Sequence, residues 1–350
     1  VVGAAVVWIS PLVFVALSFF VALALTRWLV RDRSRFTVVD VPNERSLHRT
    51  PVPRTGGVAI VLALALAFAG LWTTQTLPVA VLLGPATLIA VISFFDDRRS
   101  IPVATRLGAH LIAASTAVFL GFRLPEVLWP GVVSEMPSAL ASFLSVLFIV
   151  WMTNLYNFMD GMDGLAGGMA VFGFGGLATL GAMHGHAPFA AANACVAASA
   201  LGFLVFNFPP AKIFMGDTGS STLGFLAAVF GLWGAREGVA PLWATVLLFS
   251  PFIVDATVTL ARRLGNGERV WHAHRTHFYQ RLVQSGLGHR KTVLGEYALM
   301  FFCLAGVLTA VMLPEPVQRA VLGVSAGVYG WLIFWANRHE RRSRQTVNGR

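Results

Sequence analysis

Eleven stretches of this sequence read as membrane-crossing helices, and that leaves few folds open to the chain. A span needs roughly 20 predominantly apolar residues. Runs approaching or reaching that length fall at about 5–26, 57–74, 78–95, 106–122, 138–153, 164–183, 188–208, 218–235, 241–261, 294–313 and 318–337. Backbone polar groups inside a bilayer must be satisfied within the segment, so such runs imply helices. The chain is 56% hydrophobic and 12% charged, with a mean hydropathy of +0.70; an average soluble domain carries about 25% charged residues. The expected fold is an all-α polytopic integral membrane protein of about 11 helices. It forms a single transmembrane domain over residues 1–350, with short loops, no soluble domain and no fixed-period repeat. The first run lacks the short apolar core and small-residue cleavage site of a secretory signal, so it is expected to be a retained anchor.

Eleven crossings would place alternate loops on opposite sides. One set is about 27–56, 96–105, 154–163, 209–217, 262–293 and the tail after 337. Of the 26 Lys and Arg residues, only Arg123, Arg236 and Arg319 fall outside this set and its flanks. Basic residues stay cytoplasmic, so this set is expected to face the cytoplasm, with the N-terminus periplasmic and the C-terminus cytoplasmic. The net charge of +10 is then a topology signal, and a nucleic-acid partner is not expected. Cys195 and Cys303 lie in separate apolar runs, which argues against a disulfide or a Cys metal site.

Carboxylates collect on the same side. Asp96, Asp97, Asp160, Asp163 and Asp217 fall at the cytoplasmic ends of predicted helices, and Asp255 about two turns inside another. Ionisable groups at such positions are costly and are usually functional. In FFDDRRSIP, Asp96 and Asp97 end an apolar helix, where cations are favoured. They suit a divalent cation or proton transfer; the structural alternative is a helix end neutralised by Arg98 and Arg99. In NLYNFMDGMDGLAGG, Asp160 and Asp163 share one face if helical, and the glycines allow close backbone approach or simply helix packing. In NFPPAKIFMGDTGSSTLGF, Asp217 opens a helix whose N-terminal amides could hold a phosphate or its metal; an N-cap is the plain alternative.

Two basic loops complete the set. DVPNERSLHRTPVPRTGG offers Arg45, His48, Arg49 and Arg54 as phosphate donors, and its prolines deny it a regular helix. The last large loop, 261–291, carries His272, His274, His277 and His289 among arginines. It has no carboxylate or Cys beside HxHxxH, so phosphate recognition is favoured over zinc. His110, His184, His186 and His339 carry no motif.

Together the pieces DVPNERSLHRTPVPRTGG, FFDDRR, NFMDGMDGLAGG and PAKIFMGDTGS resemble the polyprenyl-phosphate N-acetylhexosamine-1-phosphate transferase family, the initiators of O-antigen and enterobacterial common antigen and relatives of the lipid I synthase. The resemblance runs in family order from residue 40 to about 290. It implies transfer of a HexNAc-1-phosphate from a UDP-sugar to undecaprenyl phosphate, releasing UMP, with Mg²⁺ as cofactor and Mn²⁺ as a substitute. By resemblance Asp96, Asp97 and Asp217 are catalytic; Asp217, Asp160 and Asp97 hold the metal. Asn157, Asp160, Asp163, Asn207, Lys212, His48, Arg54, His274, Arg275 and His277 contact substrate. A phosphate monoester has its second pKa near 6, so the lipid phosphate is largely dianionic at neutral pH and an electrostatic role for the acids is favoured over a general base.

The last loop departs from the family. If His277 takes the first place of the HxHH run, Tyr279 and Gln280 stand in the later ones. AHRTHFYQRL is more similar to initiators that use UDP-N-acetylfucosamine or related deoxy sugars. Membrane lipids are expected partners, a homodimer is allowed, and the expected location is the bacterial inner membrane with the active site facing the cytoplasm. The competing reading is a polytopic transporter or flippase of lipid-linked sugars, which would place its ionisable groups near the bilayer midplane.

Overall fold

A computed structural model describes residues 2–31, 38–42, 50–73, 79–133, 135–269 and 275–348. Each of the eleven predicted runs falls on a helix. They are α1 (Val2–Arg31), α2 (Gly56–Thr73), α3 (Val79–Arg98), α4 (Val103–Phe119), α5 (Ser138–Phe158), α6 (Leu165–Met183), α7 (Ala187–Asn207) and α8 (Asp217–Arg236). The ninth run is a bent pair, α9 (Leu242–Leu248) and α10 (Ser250–Gly265). A short α11 (Phe278–Leu282) and a π-helical turn (Val283–Leu287) lead into α12 (Gly288–Ala310), and α13 (Glu315–Asn348) closes the chain.

By length and hydropathy, six of the described helices can cross a bilayer, or up to seven if the bent pair counts as one span. Several helices, among them α1, α3, α5 and α13, run past the predicted boundaries at their polar ends. The 34 residues of α13 extend about 50 Å, well beyond a hydrocarbon core of about 30 Å. Two short antiparallel ribbons occupy loops: β1 (Val39–Asp40) with β2 (Val52–Pro53), and β3 (Val127–Trp129) with β4 (Val132–Val133).

The bundle is built around α8. Every residue from Thr218 to Gly234 is buried, and α8 packs against α2, α3, α5, α6 and α9. Its side chains are small or apolar all round, the pattern of an element with no solvent face. Glycines permit the close approach. A Cβ on Gly224 would lie 2.6 Å from the Met152 carbonyl oxygen, and one on Gly57 would lie 2.2 Å from the Gly219 backbone nitrogen. Such small-residue contacts let membrane helices pack backbone to backbone. Farther out, α7 packs on both α1 and α6, α4 on α3 and α5, and α12 on α6 and α9.

α9 and α10 meet at 77°. Pro251 lies in the first turn of α10. It donates no N–H, and its ring clashes with the carbonyl four residues back, so one straight helix cannot run through.

The Gly57–Gly219 contact yields a paired prediction. Gly57→Ala should destabilise the purified protein by about 1–3 kcal/mol through overpacking against backbone. Gly108→Ala, where a Cβ meets nothing within 4 Å, should be neutral or slightly stabilising. Thermal melting of both variants in one detergent checks this.

Candidate active site

Three predicted loops meet over the N-terminus of α8. The strand β2 hands its chain to the loop before α8: the Phe214 N–H donates to Pro53 O (2.7 Å), and the Gly56 and Gly57 N–H groups donate to Phe214 O and Met215 O (2.9 and 2.7 Å). Arg54 is held beside this seam, its N–H donating to Val38 O and its Nη2 to the Asp97 carbonyl.

Asp97, near the C-terminal end of α3, reaches the start of α8. Its Oδ1 accepts from Asp217 N (2.9 Å), and its Oδ2 from Thr218 N (3.0 Å) and Thr218 Oγ1 (2.7 Å). This corrects one expectation. The first amides of α8 are occupied by a carboxylate of the same chain, so they are not open to phosphate. It also explains an acid at a helix C-terminus: Asp97 caps a different helix, where the dipole favours it. Asp217 itself does not cap, since Gly216 holds the N-cap position with φ 75°. A side chain at Gly216 would sit 2.5 Å from Arg54 O and 2.9 Å from Asp97 Oδ1.

Asp96 faces Arg106, the first basic residue of α4. Arg106 Nη1 lies 2.5 Å from Asp96 Oδ2 and 3.3 Å from Asp217 Oδ2, and the Ile101 N–H donates to Asp96 Oδ1 (2.6 Å). Asp160 completes the cluster, accepting a backbone hydrogen bond from Gly216. Asn157 donates to Ser220 Oγ (2.9 Å) and hydrogen-bonds Asp217. The acids outnumber the cations. Burial, with the neighbouring Asp97 and Asp96 charges, pushes the Asp217 carboxyl up to about 7. Burial and the Asp217 and Asp97 charges push Asp160 well above the usual carboxylate range.

Asp163 belongs to a different contact. The chain between α5 and α6 is a turn, not a helix, so Asp160 and Asp163 do not share a face. Asp163 accepts from Ala211 N (3.0 Å) and lies 3.1 Å from His289 Nδ1. Burial alone would raise its carboxyl, but the His289 and Ala211 hydrogen bonds outweigh that and hold it below the usual range. Asn207 is buried and spans the same seam, accepting from Gly164 N (2.9 Å) and donating to Ile213 O (2.8 Å). Lys212 is exposed.

The last loop is anchored through Asp255. This residue accepts from Thr259 Oγ1, Phe278 N and Tyr279 N, and pairs with His277 Nδ1 at 3.1 Å. Asp255 and His277 are both buried. Asp255 therefore holds α11 and does not join the other acids, against the convergence expected from its place in the sequence. Tyr279, from the departing part of the family run, donates to Phe158 O (3.4 Å) and packs over Gly161 beside Asp160. Arg275 lines a cavity with Arg262, Arg281 and Arg341. His48 and His274 lie outside the described residues.

The structure thus brings together Asp96, Asp97, Asp160, Asp217 and Asn157, with Arg54 at the edge. It sets Asp163, Asn207, His277 and Arg275 apart from them. Reading the sequence missed Arg106, Thr218 and Ser220 as members of the site. The signal for Arg106 was a lone guanidinium opening an apolar helix after DDRR. Thr218 and Ser220 lay inside the quoted GDTGS.

The donor set is oxygen only, which fits a hard divalent cation. Asp160 and Asp217 are the carboxylates of the cluster that could share one, since both oxygens of Asp97 and of Asp96 are already hydrogen-bonded. Among the described residues no group of three His, Cys, Asp or Glu side chains is placed to hold a metal ion by itself. A cation shared between one or two carboxylates and substrate phosphates needs none.

Residues 79–235 match the description "Glycosyl transferase family 4". The chain is 32% identical over 290 residues to a probable undecaprenyl-phosphate N-acetylglucosaminyl 1-phosphate transferase of Bacillus subtilis, covering 81% of this chain and 80% of that one. It is 30% identical to the decaprenyl-phosphate N-acetylglucosaminephosphotransferase of Mycolicibacterium smegmatis, over 86% and 82% of the two chains. It is 26% identical to the undecaprenyl-phosphate alpha-N-acetylglucosaminyl 1-phosphate transferase of Escherichia coli, over 89% and 90%. The matched region contains the whole aspartate cluster, and the three relatives each align with at least 81% of this chain: the chain belongs to the polyprenyl-phosphate N-acetylhexosamine-1-phosphate transferase family.

Proposed function

We propose that this protein transfers a HexNAc-1-phosphate from a UDP-N-acetylhexosamine to undecaprenyl phosphate, giving undecaprenyl-pyrophosphoryl sugar and UMP. The observation that carries the reading is the meeting of Asp96, Asp97, Asp160 and Asp217 at one end of the bundle. The printed activities of the relatives support it. In this reading eleven crossings put the N-terminus in the periplasm and the aspartates at the cytoplasmic face of the bacterial inner membrane. The transporter reading needs charges near the bilayer midplane, whereas these acids sit at helix ends.

The reaction is a displacement at the β-phosphorus. An oxygen of the lipid phosphate forms the new P–O bond, and the bond to the α-phosphate breaks, with UMP leaving. Phosphoryl transfer depends mainly on positioning and charge stabilisation. Mg²⁺, when bound, would supply neutralisation of the pyrophosphate. Of the expected set Asp217, Asp160 and Asp97, the first two would hold it together with the substrate, while Asp97 keeps the first turn of α8 fixed beneath them. Arg106, now shared between Asp96 and Asp217, is placed to turn towards phosphate oxygens. Arg54 stands at the edge as a second donor. Tyr279 braces the turn that carries Asp160.

The sugar follows from the departing last loop, and the choice lies between UDP-GlcNAc and deoxy sugars such as UDP-FucNAc or UDP-QuiNAc. O-antigen or another cell-envelope polysaccharide is the destination this reading implies.

Four outcomes are expected. Purified protein with undecaprenyl phosphate, a matching UDP-HexNAc and Mg²⁺ releases UMP. Chelation with EDTA stops release, and Mg²⁺ or Mn²⁺ restores it. No UMP from any UDP-HexNAc, with mass spectrometry of the lipid product as the second readout, would falsify the reading. Asp217→Ala should lower turnover by on the order of 10²-fold or more while leaving the melting temperature close to wild type. Asp255→Ala should show the opposite balance: it strips a buried anchor of three donors and His277, costing roughly 3–5 kcal/mol of stability.

A further inference from the structure

Apart from the aspartates, two cavities lie end to end between α10 and α13. The first is an apolar slot of about 450 Å³. Leu299, Phe302, Leu332 and Trp335 line it, and Trp331 on its wall is 62% exposed. The second is a polar cavity of about 850 Å³. Five arginines line that one: Arg262, Arg263, Arg275, Arg281 and Arg341. Its two acids, Glu268 and Glu340, pair with Arg263 (2.8 Å) and Arg281, so among the described residues the lining carries an excess of three positive charges.

The two spaces are neighbours along the same helices. On α10, Asp255 lines the slot and Thr259, one turn on, lines the cavity. On α13, Trp335 and Ala336 line the slot and Asn337 the cavity. Phe278 is the partition. It lines the slot, while Arg262 and Arg281 of the cavity lie over its ring at 5.0 and 5.1 Å. Both α13 and the α11–α12 segment are among the helices long and apolar enough to cross a membrane. An apolar slot open at its side, ending under a basic cavity beyond a pair of tryptophans, is the outline of an amphiphile at a bilayer interface. Basic pockets between membrane helices hold anionic lipid headgroups in this way.

We propose that the slot and cavity form a site for an anionic bilayer phospholipid, with one acyl chain in the slot and the headgroup phosphate among the arginines. Free phosphate would use only the cavity and give the slot no role. Undecaprenyl phosphate has to bring its phosphate to the aspartates, and this cavity shares no residue with Asp96, Asp97, Asp160 or Asp217. The inference rests on the membrane placement given above and not on the transfer reaction. Asp255 lines the slot and holds α11, so the lipid would sit against the segment that carries Tyr279 to the active-site turn.

The test uses the full chain, delipidated in detergent and titrated with phosphatidylglycerol or phosphatidylcholine, with bound lipid counted by native mass spectrometry. Wild type should prefer phosphatidylglycerol by about tenfold or more, and the double change Arg262→Ala with Arg341→Ala should remove that preference. Leu299→Trp, which fills the slot and spares the arginines, should weaken binding of both lipids. Equal binding of the two lipids by wild type overturns the proposal without recourse to any variant. So does one-for-one displacement of phosphatidylglycerol by undecaprenyl phosphate, which would make this an acceptor site. Competition by millimolar inorganic phosphate as effective as that by lipid would make it a free-anion site and overturn it too. UMP release enters none of these readouts, so failure here and failure of the transferase reading are separable.

Discussion

The hydrogen bonds from the first turn of α8 to Asp97 are the constraint on which the site depends. A helix N-terminus inside a bundle leaves amides that must find acceptors, and here the acceptor comes from another helix, 120 residues earlier in the chain. That bridge ties α3 to α8. With the Gly56–Gly57 seam, it also ties the first loop to the same point. The cluster is therefore a by-product of satisfying α8: once Asp97 is committed there, Asp96 and Asp217 are brought to within reach of a single guanidinium, Arg106.

The electrostatics follow from that crowding. Buried like charges raise one another's pKa, and an opposite charge relieves them. Burial is the largest cause that raises the Asp217 carboxyl to about 7, and the Asp97 and Asp96 charges, which two arginines do not balance, add to it. Asp163 shows the contrast. It has one imidazole and one amide to itself and behaves as an ordinary paired acid. Two aspartates three residues apart thus play unlike parts because a turn, and not a helix, lies between them.

Hydropathy made the helices legible. Runs of apolar residues identify them without any tertiary knowledge. What could not be read was which acid meets which partner. Asp97 looked like a pure site residue because its real partner, the amides of Asp217 and Thr218, carries no side-chain signature. Asp255 looked like one more converging acid because its depth in a helix is visible in sequence, whereas its bonds to Phe278 and Tyr279 are not. Asn207 was expected to contact substrate; in the structure both ends of its amide serve the backbone. The bend at Pro251 was equally hidden: proline announces a break, but the angle depends on what packs around it.

That bend has a geometric consequence. α9 has seven residues and rises about 10 Å, roughly a third of a hydrocarbon core. Since α10 departs from it at 77°, no orientation aligns both limbs with the bilayer normal. Whichever limb stands upright, the other leans towards the membrane plane, and the wall of the bundle at that corner is shorter than a full rod.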